Sequence, residues 1–127
     1  MAITSLLMSL IIIPFSAYGA LPTTIIQSCY DGDTCTTTNG EKIRLACIDT
    51  PELKGKRADP IPAEKARDFL NNLLINEEVS IRRITKDRYG RTVAELFNGN
   101  INIQKLLVDK GYGQIYKKYS NQCEWSK

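Results

Sequence analysis

Two acidic clusters and one mixed cluster stand out as places where chemistry could be done: Asp31-Gly32-Asp33-Thr34, Asp49-Thr50-Pro51-Glu52 and Asp87-Arg88-Tyr89-Gly90-Arg91. The chain holds no histidine. That removes every mechanism built on an imidazole base, an imidazole nucleophile or a histidine-bound zinc. Asp33, Asp49 and Glu52 are hard oxygen donors of the kind calcium and magnesium prefer, and a site for such an ion can be assembled from separate segments. A contiguous calcium loop beginning at Asp31 is excluded. Its fifth position would need an oxygen ligand and its sixth a glycine, where this chain has Cys35 and Thr36.

Each cluster sits at the end of an extended segment. Thr23 to Tyr30 and Thr34 to Thr38 are rich in β-branched residues, Asn39-Gly40 is a hairpin signal, and Lys42 to Ile48 reads as a third strand. Residues Thr50 to Pro62 hold three prolines, one glycine and the basic cluster Lys54-Gly55-Lys56-Arg57, and read as a long functional loop. After Pro62, Ala66, Phe69, Leu70, Leu73 and Leu74 recur at helical spacing up to Leu74. Val79 to Thr85 and Arg91 to Phe97 give a fourth and a fifth strand around the turn Asp87–Gly90, and a second short helix over Ile101 to Val108 stops at Gly111. Five strands with a helix between the third and fourth predict a mainly β, α+β domain: a five-stranded OB-fold Greek-key barrel with two to three short helices.

With 127 residues, 43% of them apolar, the chain is long enough for one domain with a core and too short for two. A net charge of +3 favours a polyanionic partner without naming one. The first charged side chain is Asp31, and Leu6 to Phe15 is almost continuously apolar before the small residues Ser16-Ala17-Tyr18-Gly19-Ala20. That run is short of the ~20 residues that span a bilayer. It reads as an export signal over residues 1–19 cleaved near Gly19 or Ala20, with the domain at 20–127 and no stable membrane span after processing; no Lys or Arg precedes the apolar run, which leaves a retained anchor as the alternative. Cys29, Cys35, Cys47 and Cys123 form no C-x-x-C pair, and an even count in an exported chain favours disulfides. Three pairings are open. One of them clips a hairpin through Cys29 and Cys35 and fastens the tail through Cys47 and Cys123.

In order and spacing, Asp31-Gly32-Asp33-Thr34, Ile43-Arg44-Leu45, Asp49-Thr50-Pro51-Glu52 and Asp87-Arg88-Tyr89-Gly90-Arg91 resemble the successive motifs of thermonuclease, the staphylococcal-nuclease-like family. The resemblance implies an OB-fold, calcium-dependent endonuclease acting on DNA and RNA and leaving 3′-phosphates, monomeric, with no obligate protein partner, in the periplasm or outside the cell. It implies that Asp33 and Asp49 bind calcium through carboxylates and Thr50 through its backbone carbonyl, while Glu52 positions or deprotonates the attacking water. Arg44 and Arg91 then meet the phosphate, for which a permanently charged planar fork is suited. Asp31 is read as a turn acid supporting the metal loop. Arg88, Tyr89, Lys117 and Tyr119 are implied contacts to the nucleotide, with aromatic rings stacking on bases. Lys117 stands where the family commonly has a tyrosine, shifting that contact toward phosphate, and Lys54, Lys56, Arg57 and Lys118 add a basic rim. The competing reading is a catalytically inactive OB-fold module that only binds nucleic acid. Such a module is expected to have lost the acids or the arginines, and this chain keeps both sets.

Overall fold

A computed structural model describes residues 20–127, so the expected export signal lies outside the described residues. Strands β1 (Thr23–Cys29), β2 (Thr34–Thr37) and β3 (Lys42–Leu45) form an antiparallel meander. Gly40, at φ 87°, supplies the left-handed step of the second turn. The chain continues through β4 (Ile48–Asp49), α1 (Pro60–Leu74), β5 (Glu78–Lys86), β6 (Thr92–Asn98), β7 (Ile101–Asn102), α2 (Ile103–Asp109) and β8 (Gln114–Ile115), and ends in two 3-10 turns, Lys117–Gln122 and Glu124–Ser126. β5 pairs antiparallel with both β1 and β6, and β6 returns parallel to β3 with Ile43 opposite Thr92 and Leu45 opposite Ala94. The order β1-β2-β3-β6-β5 therefore closes on itself, with α1 inserted between the third and fourth barrel strands. This is the expected five-stranded OB barrel. Register shifts between Ile26 and Ser28 in β1 and between Arg83 and Thr85 in β5 add the local bend that closure needs.

Inward-facing Ile26, Ile43, Leu45, Val79, Ile81 and Leu96 fill the barrel, Leu70 and Leu74 of α1 and Ile103 and Leu107 of α2 cover it, and each is at most 1% exposed. Every one of them contributes roughly 1.5–3 kcal/mol on removal from water.

Three boundaries differ from the sequence expectation, each for a local reason. Helix α1 begins at Pro60 rather than after Pro62, because the first helical turn has no intrahelical partners for its N–H groups and prolines there cost nothing. The third strand breaks after Leu45, where Ala46-Cys47 turns with Cys47 at φ 69°, and resumes as β4 against β8. Helix α2 starts at Ile103 because Asn102 caps it, accepting a 3.1 Å bond from the Lys105 N–H, while Ile101–Asn102 pairs with the end of β6.

Both disulfides bear on the polar end of the barrel. Cys29–Cys35 joins register partners of β1 and β2, directly below the Asp31–Asp33 turn, and Asn71 of α1 holds Cys29 through both backbone groups, at 2.7 and 3.0 Å. Cys47–Cys123 fastens the C-terminal turns to the β3–β4 break. Buried Glu95 reinforces that tail, accepting from Arg82 at 2.8 Å and from the Trp125 indole at 3.1 Å. Among the described residues, no helix is long and apolar enough to cross a membrane.

Candidate active site

The turn between β1 and β2 is an Asx turn: the Asp31 carboxylate accepts the Asp33 N–H at 3.0 Å. Gly32 is required there by space. A Cβ at that position would lie 2.8 Å from the Ala66 side chain and 2.9 Å from that of Thr50. The turn is pinned to the barrel by the Leu45 N–H donating to the Asp33 carbonyl at 2.7 Å. Asp33 is 4% exposed. One of its oxygens accepts from the Thr34 hydroxyl at 3.1 Å and the other lies 3.4 Å from Arg44.

Arg44 points outward from β3 and is held by the strand break that follows it. Its guanidinium donates to the Leu45 carbonyl at 2.7 Å and to the Ile48 carbonyl at 3.0 Å. These bonds stretch the turn at Ala46-Cys47 around one rigid fork and leave other N–H groups unused. Arg91 is aimed in the same manner from the turn that enters β6, the strand paired with β3. Asp87 accepts from the backbone N–H groups of Tyr89 and Arg91 and takes the Arg91 Nε–H at 2.7 Å, while the other end of the guanidinium approaches the Thr34 hydroxyl at 3.4 Å. Burial works against the Asp87 charge, but these donors hold its carboxyl below the usual aspartate range.

Asp49 ends β4, and Thr50 follows, buried beneath Gly32 and Gly113. A Cβ on Gly113 would stand 3.0 Å from the Asp49 carbonyl, so the backbone at Asp49-Thr50 is clamped between two glycines. The Thr50 hydroxyl is buried without a hydrogen-bond partner. Glu52 is exposed, and its backbone is fixed by the Asp59 N–H at 2.9 Å.

Asp33, Arg44, Asp49, Thr50, Glu52 and Arg91 line one cleft of about 680 Å³, with Asp31 at its base. Like charges have been gathered there against their own repulsion. Burial, then Asp33 and Glu52, push the Asp31 carboxyl up to about 7. Burial, then Asp33 and Asp49, raise the Glu52 carboxyl, opposed by Arg44 and Arg91. Such a set is stabilised by a cation. Its donors are hard oxygens without histidine or free thiol, which fits calcium or magnesium. Among the described residues, no group of three or more acidic, cysteine or histidine side chains is placed to hold a metal ion by itself.

A second groove of about 590 Å³ meets this cleft at Arg44, Arg91 and Tyr116. Its walls carry Arg88, Tyr89, Tyr119 and Lys118 over an apolar floor that includes Leu45 and Val93. Tyr89 is 67% exposed, with the guanidinium carbons of Arg88 and Arg91 at 4.9 and 5.5 Å from its ring centre. Tyr119 packs edge-on to Tyr116, and the Lys118 ammonium stands 5.3 Å from its ring centre. Three of the four expected nucleotide contacts thus share one groove. Lys117 lines neither cavity; it opens the first 3-10 turn, where Ser120 bonds its carbonyl, and Lys118 occupies the groove instead. Sequence reasoning passed over Asp87 and Thr34 as orienting groups. For Asp87 the signal was available, as an Asp four residues before an Arg across a turn.

A family model described as staphylococcal nuclease homologue matches residues 42–127. Among similar proteins, an uncharacterized endonuclease of Haemophilus influenzae is 37% identical over 95 residues, covering 72% of this chain and 51% of that protein. Staphylococcal-like nuclease CAN1 of Arabidopsis thaliana is 30% identical over 87 residues, covering 68% and 25%. Endonuclease Htp3 of Saprolegnia parasitica is 30% identical over 83 residues, covering 61% and 39%. The chain spans about half the length, or less, of these relatives. The match extends over the barrel closure, the Arg44 fork, the acids Asp49 and Glu52 and the Arg91 turn, and by it this chain belongs to the staphylococcal nuclease homologue family.

Proposed function

We propose that this protein is a calcium-dependent endonuclease that hydrolyses phosphodiester bonds of DNA and RNA and leaves 3′-phosphates. The observation that carries the reading is the convergence of two independently oriented arginines and three carboxylates, Asp33, Asp49 and Glu52, on one open cleft. Asp33 and Asp49 would hold the calcium through carboxylates and Thr50 through its carbonyl. Bound there, the ion would supply positive charge to the phosphate and to the water near it.

Glu52 accepts the proton of the attacking water. Its raised affinity for protons suits that task, since a carboxylate at its ordinary pKa is a weak base. As the water oxygen bonds to phosphorus and the P–O5′ bond breaks, charge builds on the equatorial oxygens. Arg44 and Arg91, already fixed by Leu45, Ile48 and Asp87, donate to those oxygens with little further ordering. The departing 5′ oxygen takes a proton from solvent. Tyr89 and Tyr119 offer faces on which a base adjoining the scissile phosphate can stack, with Arg88 and Lys118 beside them.

The reading includes export of the domain 20–127 after removal of residues 1–19, to the periplasm or the medium. Its support is the pair of disulfides, which persist in oxidising compartments. It also includes action as a monomer without an obligate partner, because one chain supplies every acid and arginine used. The test is end-group analysis of products from single-stranded DNA and RNA cleaved with calcium: 3′-phosphate and 5′-hydroxyl ends from both substrates are expected, and 5′-phosphate ends would overturn the assignment of the broken bond.

A further inference from the structure

The loop between β4 and α1 carries three cations, and the fold separates them. Glu52 bridges Ala58 across the loop, Asp59 N–H bonds the Glu52 carbonyl at 2.9 Å, and Gly55, at φ 100°, closes the turn. This leaves Lys54 and Lys56 off the cleft and places Arg57 on its wall. Arg57 is exposed and enters none of the ion pairs among the described residues. It also does not line the tyrosine groove. The two cavities meet at Arg44, Arg91 and Tyr116, so Tyr89 and Tyr119 lie in the groove on one side of the arginine pair and Arg57 lies in the acid-lined cleft on the other.

We propose that Arg57 binds a backbone phosphate next to the scissile one, on the acid side of the site, so that a single strand threads from the tyrosine groove past Arg44 and Arg91 and leaves over Arg57. A cation there offsets the repulsion that Asp33, Asp49 and Glu52 exert on the outgoing phosphates, and an unpaired guanidinium has its whole fork free for them. Contacts on both sides of the cut make the site one that works within a strand. The inference rests on the hydrolase reading of the same cleft and adds a binding site to it.

The experiment compares wild type, Arg57→Ala and, as a control for charge lost from the exposed face of α1, Lys65→Ala. Anisotropy of a labelled twelve-nucleotide single strand is followed in chelator from 50 to 200 mM salt, and kcat/KM in calcium is measured for that strand and for a dinucleotide with no phosphate beyond the scissile one. One phosphate contact on a single strand steepens the salt dependence by about 0.7 in log–log slope, so over this range wild type should lose roughly 2.6-fold more affinity than Arg57→Ala. Lys65→Ala should follow wild type. The kcat/KM loss in Arg57→Ala should be several-fold larger on the twelve-nucleotide strand than on the dinucleotide. An unaltered salt slope in Arg57→Ala, or equal losses on the two substrates, overturns the assignment. A wild type that binds with the predicted slope difference but cleaves nothing removes the hydrolase reading and leaves the Arg57 contact standing.

Discussion

Replacing Asp31 by Asn should stabilise the metal-free protein above neutral pH, although Asp31 supports the turn that carries Asp33. The residue is 6% exposed, and its carboxyl is raised from 3.8 to about 7 by burial and by Asp33 and Glu52. A carboxyl whose folded pKa lies above its unfolded value destabilises the fold when ionised. The cost is absent below about pH 4, grows through the interval up to about 7, and is complete above it. At about 1.4 kcal/mol for each tenfold change in proton affinity, the ceiling is about 4 kcal/mol. Mutual titration with Asp33 and Glu52 and relaxation around the charge reduce this to on the order of 1–2 kcal/mol. Asn keeps an oxygen for the 3.0 Å bond from the Asp33 N–H, so the turn survives. Urea unfolding in chelator should place the variant midpoint about 1 M above wild type at pH 8, taking a slope of roughly 1–2 kcal/mol/M, with the difference gone by pH 4. A variant less stable than wild type at pH 8, or a difference that ignores pH, would refute the argument that the acids are held together against repulsion.

Arg44→Lys and Arg91→Lys should each lower kcat by roughly 10²–10³-fold despite keeping charge, since a lysine cannot reproduce the fork that reaches backbone and phosphate together; steady-state rates within a few fold of wild type would show that a point charge suffices. Asp87→Asn should lower kcat by about tenfold with a smaller change in KM, because it loosens only the aim of Arg91, and a larger effect on KM would place Asp87 in substrate binding instead. Replacing both cysteines of the Cys47–Cys123 bridge, which closes 76 residues, should cost about 4 kcal/mol by chain entropy, against about 2 for Cys29–Cys35, which closes six; thermal melts showing the reverse order would mean that local geometry outweighs loop length.

Much of this was legible in the residues. The β-branched runs, the Asn39-Gly40 turn and the Ala66-to-Leu74 spacing specify the meander and the helix, because local preference and burial agree there. The strand break at Ala46-Cys47 was hidden, since the apolar run Leu45 to Ile48 reads as a continuation of the strand and the cause is tertiary: the Arg44 fork gathers the Leu45 and Ile48 carbonyls while Cys47 reaches Cys123. The acids and arginines were visible by type, and their convergence follows from a barrel that brings three strand ends together. Which lysine of Lys117-Lys118 faces the groove depends on the phase of a 3-10 turn, which composition does not encode. The clamping of Thr50 by Gly32 and Gly113 is likewise a matter of close approach between distant segments.

The most direct test of the central claim is hydrolysis of single-stranded DNA by the purified protein with calcium or with chelator, run beside Glu52→Gln. Calcium-dependent cleavage is expected, falling by orders of magnitude in the variant while the fold and calcium-dependent nucleotide binding remain. Cleavage by Glu52→Gln at the wild-type rate would contradict the assigned base, and binding without cleavage by wild type under every metal would contradict the nuclease reading itself.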